Sequence, residues 1–277
     1  MSVFLSIITV VLNDHGRLRS TLESLKYQTS CDFEWVAVDG GSSDGSRDLI
    51  ADTKSAFESK GIGLTNIFEA DNGLYDAMNK GIRASEGQYV MLLNAGDTLY
   101  GPDTLANAIA LVKATGGPKM AFFGAIAHYP GELRVPLPAK DCWPAVRHSL
   151  PASHQATWID RQTHREILYD PQYRVSADYF VVASIAASEV STKSYSLTLV
   201  DLDKSEVSVS YRNPFTHLMD CARIQRSVLQ LSIGYIAFSF LNRASKKVFW
   251  IIAANPRLRW IARSFLDVRN FLTARGG

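Results

Sequence analysis

The sequence predicts an α/β protein in which a mainly parallel β-sheet is flanked by helices. Apolar runs of strand length alternate with amphipathic segments of helix length through the first half of the chain. The strand runs are apolar throughout, which is typical of parallel strands that helices cover on both faces. With 277 residues, of which 47% are hydrophobic and 20% charged, the chain can bury one large core without disulfides.

The first half of the chain supplies five strands and four helices. Each strand is a continuous apolar run, and each helix places its apolar residues on one face. Segments of these lengths in alternation form crossover units, which join parallel strands. We expect strands at 4–12, 34–40, 64–70, 88–94 and 119–129, and helices at 16–28, 46–59, 73–85 and 102–114.

After Pro130 the alternation becomes irregular. Five prolines between 130 and 158 predict loops and short edge strands. A helix is predicted at 175–188, and the alternating pattern of 194–211 indicates a hairpin. From about residue 216 the composition changes to basic, apolar helices, so we expect a C-terminal basic helical extension over 216–277.

The formal net charge of +2 conceals an acidic body and a basic C-terminal segment. From Ala222 onward there are ten lysines and arginines and one acid, Asp267, a net of +9. The preceding 221 residues hold the other 19 basic and 26 acidic residues, a net of −7. Because the body is acidic and no recognition module is present, we expect no nucleic-acid partner.

The basic segment suits the surface of a membrane better than a membrane span. Its longest nearly apolar stretch, Val228 to Leu241, has 14 residues, whereas a spanning helix needs ~20. Basic flanks with Phe249, Trp250 and Trp260 favour helices that lie in the headgroup layer. The alternative is a helical extension that packs on the main domain.

The cysteines and the N-terminus predict the compartment. Cys31, Cys142 and Cys221 are far apart and have neither disulfide-framework nor metal-ligand spacing, which favours a reducing compartment. The opening MSVFLSIITVVLND has no basic leader, so we expect a first strand and not a signal peptide. Together with the basic segment, this predicts a cytoplasmic protein, peripheral on the inner face of the cytoplasmic membrane.

Two acids follow predicted buried strands, at the edge where open α/β sheets bind ligands. They are Asp39 after WVAV and Asp97 after VMLLNAG. Ordinary turn chemistry is the alternative for DGGSSDGS. A nicotinamide enzyme would need G-x-G-x-x-G after the first strand, where this chain has LNDHGRL. Since Ala95 and Gly96 are small, Asp97 has room for Mg²⁺ or Mn²⁺ on a diphosphate, and Asp39 could bind a base or ribose.

Four ordered segments carry a family resemblance. SIITVVLN, EWVAVDGGSSDGS, ADNGLYDAMNKGI and YVMLLNAGD resemble motifs of family 2 glycosyltransferases of the GT-A fold, a Rossmann-like sheet. HSLPASHQATW followed by YDPQYRVSADY resembles the bacterial exopolysaccharide branch with colanic-acid-type enzymes, fucosyltransferases among them. The resemblance covers residues 5 to about 190 and implies a catalytic domain at 1–215. Its donor half would be about 1–128 and its acceptor half about 129–215.

The resemblance also implies a donor site. Asp39 would contact the nucleobase of the donor, and Asp97 would ligate the metal. Asn94 stands where the family often has Asp, so this chain offers a single carboxylate there. For 71–81 the alternative is a capped amphipathic helix, with Lys80 in water. The implied donor contacts are Thr9, Asn13, Asp39, Asp71, Asn79, Lys80 and Asn94.

Transfer with inversion needs a group that removes the proton of the acceptor hydroxyl. Asp178 precedes an apolar helix and matches the catalytic acid of the family. The alternative is a first-turn acid that only interacts with the helix dipole. Asp160, Asp170 and His154 are the other candidates in the second half, and the resemblance makes His154 and Gln155 acceptor-side or donor-side contacts.

These observations predict an inverting, metal-assisted glycosyltransferase of exopolysaccharide biosynthesis of the colanic-acid type. Its donor would be a nucleotide-sugar, GDP-fucose or a UDP-hexose, and its acceptor a lipid-linked saccharide. The alternative from another class is a catalytically silent nucleotide-sugar-binding or scaffold subunit of the same assembly.

Overall fold

A nine-stranded mixed β-sheet organises the part of the chain that the computed structural model describes, residues 3–129, 133–205 and 212–254. Side chains are described as far as residue 245. The predicted α/β fold class is confirmed. Each predicted strand and helix of the first half, and the helix predicted at 175–188, ends within two residues of its predicted bounds.

The first half of the chain alternates strands and helices as the apolar runs predict. Strands β1 and β2 are buried along their whole length, because helices cover both faces of the sheet there. The elements are β1 Leu5–Val11, α1 His15–Lys26, β2 Phe33–Asp39, α2 Ser46–Glu58, β3 Gly63–Phe68, α3 Leu74–Ala84 and β4 Tyr89–Leu92.

The second half contains shorter and more irregular elements. They are β5 Thr98–Leu99, α4 Thr104–Ala114, β6 Met120–Tyr129, β7 Leu133–Leu137, α5 Cys142–Val146, a 3₁₀ turn His154–Ala156, β8 Thr157–Asp160, α6 Arg161–Glu166, α7 Ala177–Ala187, β9 Thr192–Asp203, α8 Pro214–Ser227 and α9 Ile233–Ala254.

The strand order is β3-β2-β1-β4-β8-β6-β9-β5, and β7 pairs with β6. The four strands β3, β2, β1 and β4 are parallel, and so are β6 and β9. The prediction of a mainly parallel sheet therefore holds for the first half, whereas β5, β7 and β8 are antiparallel to their neighbours.

The strand order places a crevice at the carboxyl ends of β1 and β4. The chain runs from β1 outward to β2 and β3, then returns through α3 to the opposite side of β1. Since crossovers are right-handed, α1 and α2 lie on one face and α3 on the other. The loops that leave β1 and β4 diverge, and ligands bind at such a switch point.

The backbone of α3 packs directly on the centre of the sheet. A Cβ atom built on Gly81 would lie 2.4 Å from Ile8 Cγ2 and 3.3 Å from Val38 Cγ2. On the other face, the ring of Phe57 in α2 meets that of Trp35 edge-on, with centroids 5.6 Å apart. These two contacts fix both helix layers relative to β1 and β2.

Two predictions concern residues 194–216. The first part of the hairpin predicted at 194–211 is strand β9, which pairs with β6 and β5, and residues 206–211, which would form its second strand, lie outside the described residues. The boundary predicted at 215/216 falls inside α8, whose residues Leu218, Cys221 and Ile224 are buried. Within the described part, no helix is both long and apolar enough to cross a bilayer. Residues 255–277 of the predicted extension lie outside that part.

We expect Gly81→Ala to lower the free energy of unfolding by about 1–3 kcal/mol, because the added methyl overpacks the contact between α3 and Ile8. The matched control is Gly16→Ala in α1, where an added Cβ meets nothing within 4 Å. That substitution should stabilise by up to about 1 kcal/mol. Urea unfolding measures both, and equal effects of the two substitutions would contradict the close approach of α3.

Candidate active site

Polar side chains gather at the carboxyl ends of β1, β2 and β4, on both sides of the crevice. One group follows β1 and β2 and is centred on Asp39. The other follows β4, is centred on Asp97, and includes residues from the second half of the chain. Both groups lie where the sequence predicted ligand binding, at the ends of parallel strands.

The Asp39 carboxylate is fully buried and only half satisfied. Its Oδ1 accepts hydrogen bonds from the backbone amides of Gly41 at 2.9 Å and Ser42 at 2.8 Å. Arg47 Nη2 lies 3.7 Å from the same oxygen. Among the described residues, Oδ2 has no hydrogen-bond partner. Because an unpaired buried acceptor is costly, this oxygen is suited to a donor group on a ligand.

The loops after β1 and β2 are tied together beside Asp39. Asn13 Oδ1 accepts from the backbone amide of Ser43 at 2.9 Å, and the backbone amide of Asn13 donates to Ser42 Oγ at 2.8 Å. Asp71 lies against Gly40, since a Cβ there would be 2.2 Å from Asp71 Oδ2. The structure therefore brings Asn13, Asp39 and Asp71 together.

Asp97 is buried, with 3% of its surface exposed, and both of its oxygens are bound. Oδ2 accepts from Gln155 Nε2 at 2.8 Å, and Oδ1 accepts from the backbone amide of Asp203 at 2.9 Å. Burial raises the pKa of the Asp97 carboxyl, although these hydrogen bonds oppose the rise. The carboxylate thus joins the loop after β4 to the 3₁₀ turn and to the end of β9.

Helix α1 holds the loop that contains Asp97. Thr21 Oγ1 donates to the carbonyl oxygen of Asp97 at 2.8 Å and accepts from the amide of Gly96 at 2.9 Å. Gly96 has a φ of +96°, and a Cβ there would lie 2.4 Å from Arg17 Nε. The space that the small residue was expected to leave for a metal complex is thus filled by the Arg17 guanidinium, which pairs with Asp203 Oδ2 at 3.1 Å.

A chain of side chains links the loop after β4 to Asp178. Asn94 Nδ2 lies 3.1 Å from His154 Nε2, and His154 Nδ1 lies 3.7 Å from Asp178 Oδ2. When Asn94 donates to Nε2, a neutral imidazole carries its proton on Nδ1, facing Asp178. Asp178 is in the first turn of α7, where the helix dipole favours the carboxylate.

Two predicted donor contacts, Thr9 and Asn79, bind other groups of the protein. Thr9 is fully buried, and its Oγ1 accepts from Trp35 Nε1 at 3.0 Å on the face that α2 covers. The amide of Asn79 binds the backbone of Tyr169 through both of its polar atoms, at 2.8 and 2.9 Å. The crevice therefore receives neither side chain in this structure.

Lys80 folds back onto its own loop. Its Nζ donates to the carbonyl oxygen of Ala70 at 2.7 Å and lies 3.2 Å from Glu69 Oε1 and 3.6 Å from Asp76 Oδ2. The Lys80 ammonium thus binds within the segment between β3 and α3. This arrangement differs from the predicted phosphate contact and also from the alternative, a lysine in water.

The sequence did not indicate Arg17, Thr21, Arg47 or Asp203. Asp203 ends β9 and would have given the same strand-end signal as Asp39 if that segment had been predicted as one strand. The other three lie on α1 and α2, where spacing alone does not distinguish them from surface residues.

Over the described ranges, no three His, Cys, Asp or Glu side chains are grouped so that they could hold a metal. Both Asp97 oxygens accept hydrogen bonds from the protein, whereas the buried Asn94 Oδ1 has no partner in the described structure. Mg²⁺ and Mn²⁺ accept fewer protein ligands when a substrate supplies phosphate oxygens, and the oxygens of Asp97 and Asn94 are those after β4 that such an ion could use.

Sequence comparison identifies related proteins. Residues 6–163 match the family model described as Glycosyl transferase family 2. A PGL/p-HBAD biosynthesis glycosyltransferase of Mycobacterium bovis is 39% identical over 107 residues, which are 39% of this chain and 41% of that protein. The match thus spans about two fifths of the length of such curated relatives.

Solved structures share the fold. The S. aureus TarS 1-349 complex with UDP-GlcNAc has a TM-score of 0.64 at 16% identity, over 87% of this chain and 72% of that one. The mannosyltransferase PcManGT from Pyrobaculum calidifontis, in complex with GDP-Man and Mn²⁺, has a TM-score of 0.61 at 14% identity, over 98% and 80%. At these identities the likeness supports the α/β fold of GT-A glycosyltransferases.

We expect Asp97→Asn to raise the thermal midpoint at pH 7. Because burial raises the pKa of this carboxyl above 3.8, the wild type loses stability as pH rises from about 3.8 through the folded-state pKa. The asparagine has no charge to desolvate, and Gln155 can turn its amide to accept from it. Midpoints measured from pH 3 to pH 8 should therefore converge at the acidic end.

Asp44→Asn is the control of opposite sign. The Ser46 hydroxyl lowers the pKa of the exposed Asp44 carboxyl to about 2, so its stabilisation is present at pH 7 and is lost as pH falls from 3.8 toward 2. Asp44→Asn should lower the midpoint at pH 7. If Asp97→Asn also lowers the midpoint at pH 7, the charged form of Asp97 does not destabilise the folded protein, and the prediction is wrong.

Proposed function

The chain belongs to glycosyl transferase family 2, and from this premise we propose that it transfers a sugar, with inversion, from a nucleotide-sugar to a lipid-linked saccharide. The main support is the arrangement of two carboxylates. Asp39 has a buried oxygen at the end of β2 without a partner among the described residues, and Asp178 lies beside His154. The first is suited to binding the donor and the second to activating the acceptor.

The donor half is proposed to hold the nucleotide. Asp39 Oδ2 accepts an N–H group of the base, because no described protein group satisfies it. Asn13 and Asp71 border the same pocket through the contacts that join the loops after β1, β2 and β3. The neighbours solved with UDP-GlcNAc and with GDP-Man agree with a nucleotide-sugar ligand.

A divalent cation, Mg²⁺ or Mn²⁺, is proposed at Asp97 and Asn94. Such an ion neutralises the charge that develops on a departing nucleoside diphosphate. The neighbour solved with GDP-Man and Mn²⁺ agrees with this chemistry. The protein itself fixes Asp97 through Gln155 and through the Asp203 amide, so the position of this carboxylate is set before any ligand binds.

Asp178 is the proposed general base. It takes the proton of the acceptor hydroxyl as the acceptor oxygen bonds to the anomeric carbon, and the bond from that carbon to the diphosphate breaks. A single displacement of this kind inverts the anomeric centre. His154, 3.7 Å from Asp178, orients the carboxylate and contacts a substrate, and Gln155 acts through Asp97.

The proposed pathway is exopolysaccharide biosynthesis of the colanic-acid type, with GDP-fucose or a UDP-hexose as donor. Its support is the segment that contains His154 and Asp178. A second candidate acceptor follows from the relatives named for PGL/p-HBAD biosynthesis, which are 39% identical over 107 residues. A catalytically silent nucleotide-sugar-binding or scaffold subunit is the alternative that the experiment below separates from the enzyme.

The proposed location is the inner face of the cytoplasmic membrane, through the C-terminal helices. Helix α9 packs on α8 with one face, where Ser239 is buried against Gln225. Its opposite face exposes Ile233, Phe238 and Leu241, so the face toward water is apolar. An apolar face in a segment with a net charge of +9 is typical of helices that lie on anionic lipid.

We expect Asp178→Asn and Asp39→Ala to fail in different ways. Asp178→Asn should lower turnover about 10²–10⁴-fold, because the general base is lost, and should keep donor binding. Asp39→Ala should weaken donor binding, and any loss of turnover should follow from that weaker binding. Release of GDP or UDP from GDP-fucose, GDP-mannose, UDP-glucose and UDP-GlcNAc measures turnover. The rise in thermal midpoint with each donor, with and without Mn²⁺, measures binding.

Asp170→Asn is the control for Asp178→Asn, because Asp170 is another acid of the second half and its carboxylate binds the amide of Gln172 in an exposed turn. It should keep turnover near that of the wild type. Donor binding without any turnover in the wild type would favour the silent subunit, and full turnover in Asp178→Asn would remove Asp178 as the base.

Membrane contact predicts a second, separate loss. Phe238→Glu with Leu241→Glu should abolish sedimentation with phosphatidylglycerol vesicles, because both changes put charge on the exposed face of α9. The control pair, Tyr27→Glu with Leu111→Glu, changes equally large exposed apolar residues at α1 and α4 and should keep vesicle binding. Equal binding by wild type and both pairs would contradict a role for α9 at the membrane.

A further inference from the structure

The first turn of α7, which carries Asp178, depends on groups from α8. The N-cap residue of α7 is Ser176, and its side chain makes no capping hydrogen bond. A serine at this position usually accepts from an amide of its own helix. Here Ser176 Oγ lies 3.0 Å from His217 Nδ1 of α8, so the start of α7 is held from outside.

Asp220 of α8 provides the acceptor at this point. Its Oδ2 accepts from the backbone amide of Val175 at 3.1 Å, and the amide of Ser176 also faces the carboxylate. Asp220 is 3% exposed. A buried carboxylate is retained only with hydrogen bonds and charges that compensate its desolvation. The hydrogen bonds described for this one come from the amides that precede α7, and Arg174 and Arg223 add attraction from opposite charge.

His217, Asp220 and Cys221 lie on one face of α8, since positions three and four apart share a face. All three contact residues 175–176: His217 and Cys221 meet the Ser176 hydroxyl, and Asp220 meets the amides. The inner face of α8, which also buries Leu218 and Ile224, thus provides three polar contacts to the segment that ends two residues before Asp178.

We propose that Asp220 is a positioning residue for glycosyl transfer, which fixes the first turn of α7 and thereby sets the Asp178 carboxylate beside His154. The inference rests on the proposed function, in which Asp178 is the general base. Misplacement of a reacting group by about 1 Å can cost about 10²-fold in rate. The donor pocket around Asp39 is built from other elements, so it does not depend on Asp220.

Asp220→Leu tests this inference because it removes the acceptor while keeping the branched shape of the side chain. We expect kcat for the best donor of the panel named above to fall about 10- to 100-fold. The KM for that donor should change less than about threefold, and the rise in thermal midpoint that the donor causes should stay close to that of the wild type. Asp220→Asn keeps a carbonyl oxygen for the Val175 amide and should recover most of the lost rate. Rates are expressed per molecule that binds donor.

Glu34 provides the matched control. It is 5% exposed and accepts from the backbone amides of Glu86 at 2.5 Å and Gly87 at 3.1 Å, near the amino ends of β2 and β4. Glu34→Leu and Glu34→Gln should lower the thermal midpoint and leave kcat per donor-binding molecule within about twofold of the wild type.

The outcomes separate this inference from the proposed function. If Asp178→Asn keeps full turnover, the general base itself is wrongly assigned. If Asp178→Asn is inactive but Asp220→Leu has wild-type kcat, only the positioning role is overturned. An equal loss of kcat in Asp220→Leu and Glu34→Leu, or in Asp220→Leu and Asp220→Asn, also overturns it, because general destabilisation would then explain the effect.

Discussion

The buried carboxylate of Asp97 is the constraint on which the site depends. A charge in this position is tolerated only with hydrogen bonds, and these come from Gln155, 58 residues further along the chain, and from the Asp203 amide, 106 residues further. The loop after β4 therefore reaches its shape only when the second half of the chain has packed against the first. His154 and Asp178 belong to the same half as Gln155 and Asp203, so packing of the two halves also assembles the proposed catalytic groups.

The parallel half of the fold was predictable because each strand is a continuous apolar run of its own. The antiparallel elements were not, because β5, β7 and β8 have two to five residues and owe their pairing to distant partners. Strand β9 shows the same limit, because the alternation of its residues does not reveal that it pairs in parallel with β6, about 70 residues earlier in the chain.

Part of the candidate site was predictable for a related reason. Asp39 ends β2 and Asp97 lies in the loop after β4, and the sheet direction alone brings the ends of parallel strands together. Thr9 lies two residues before the end of β1, and its hydroxyl is bound to Trp35, a contact that the strand pattern does not indicate. The amide of Asn79 is bound by the backbone of Tyr169, a partner 90 residues away that no local pattern reveals.

The buried carboxylates differ in how well the protein satisfies them, and this difference indicates their roles. Glu34 and Asp220 bind backbone amides, which is sufficient to explain why a charge is retained in the interior. Asp39 has one oxygen that the described residues leave unpaired, so its burial is explained only when a ligand supplies the missing donor. Asp39 belongs to the parallel half, whereas α8 contacts the residues that precede the first turn of α7, so the proposed roles in donor binding and sugar transfer rest on different parts of the chain. If these roles hold, a change in the C-terminal helices alters the rate of transfer while the proposed nucleotide pocket stays intact.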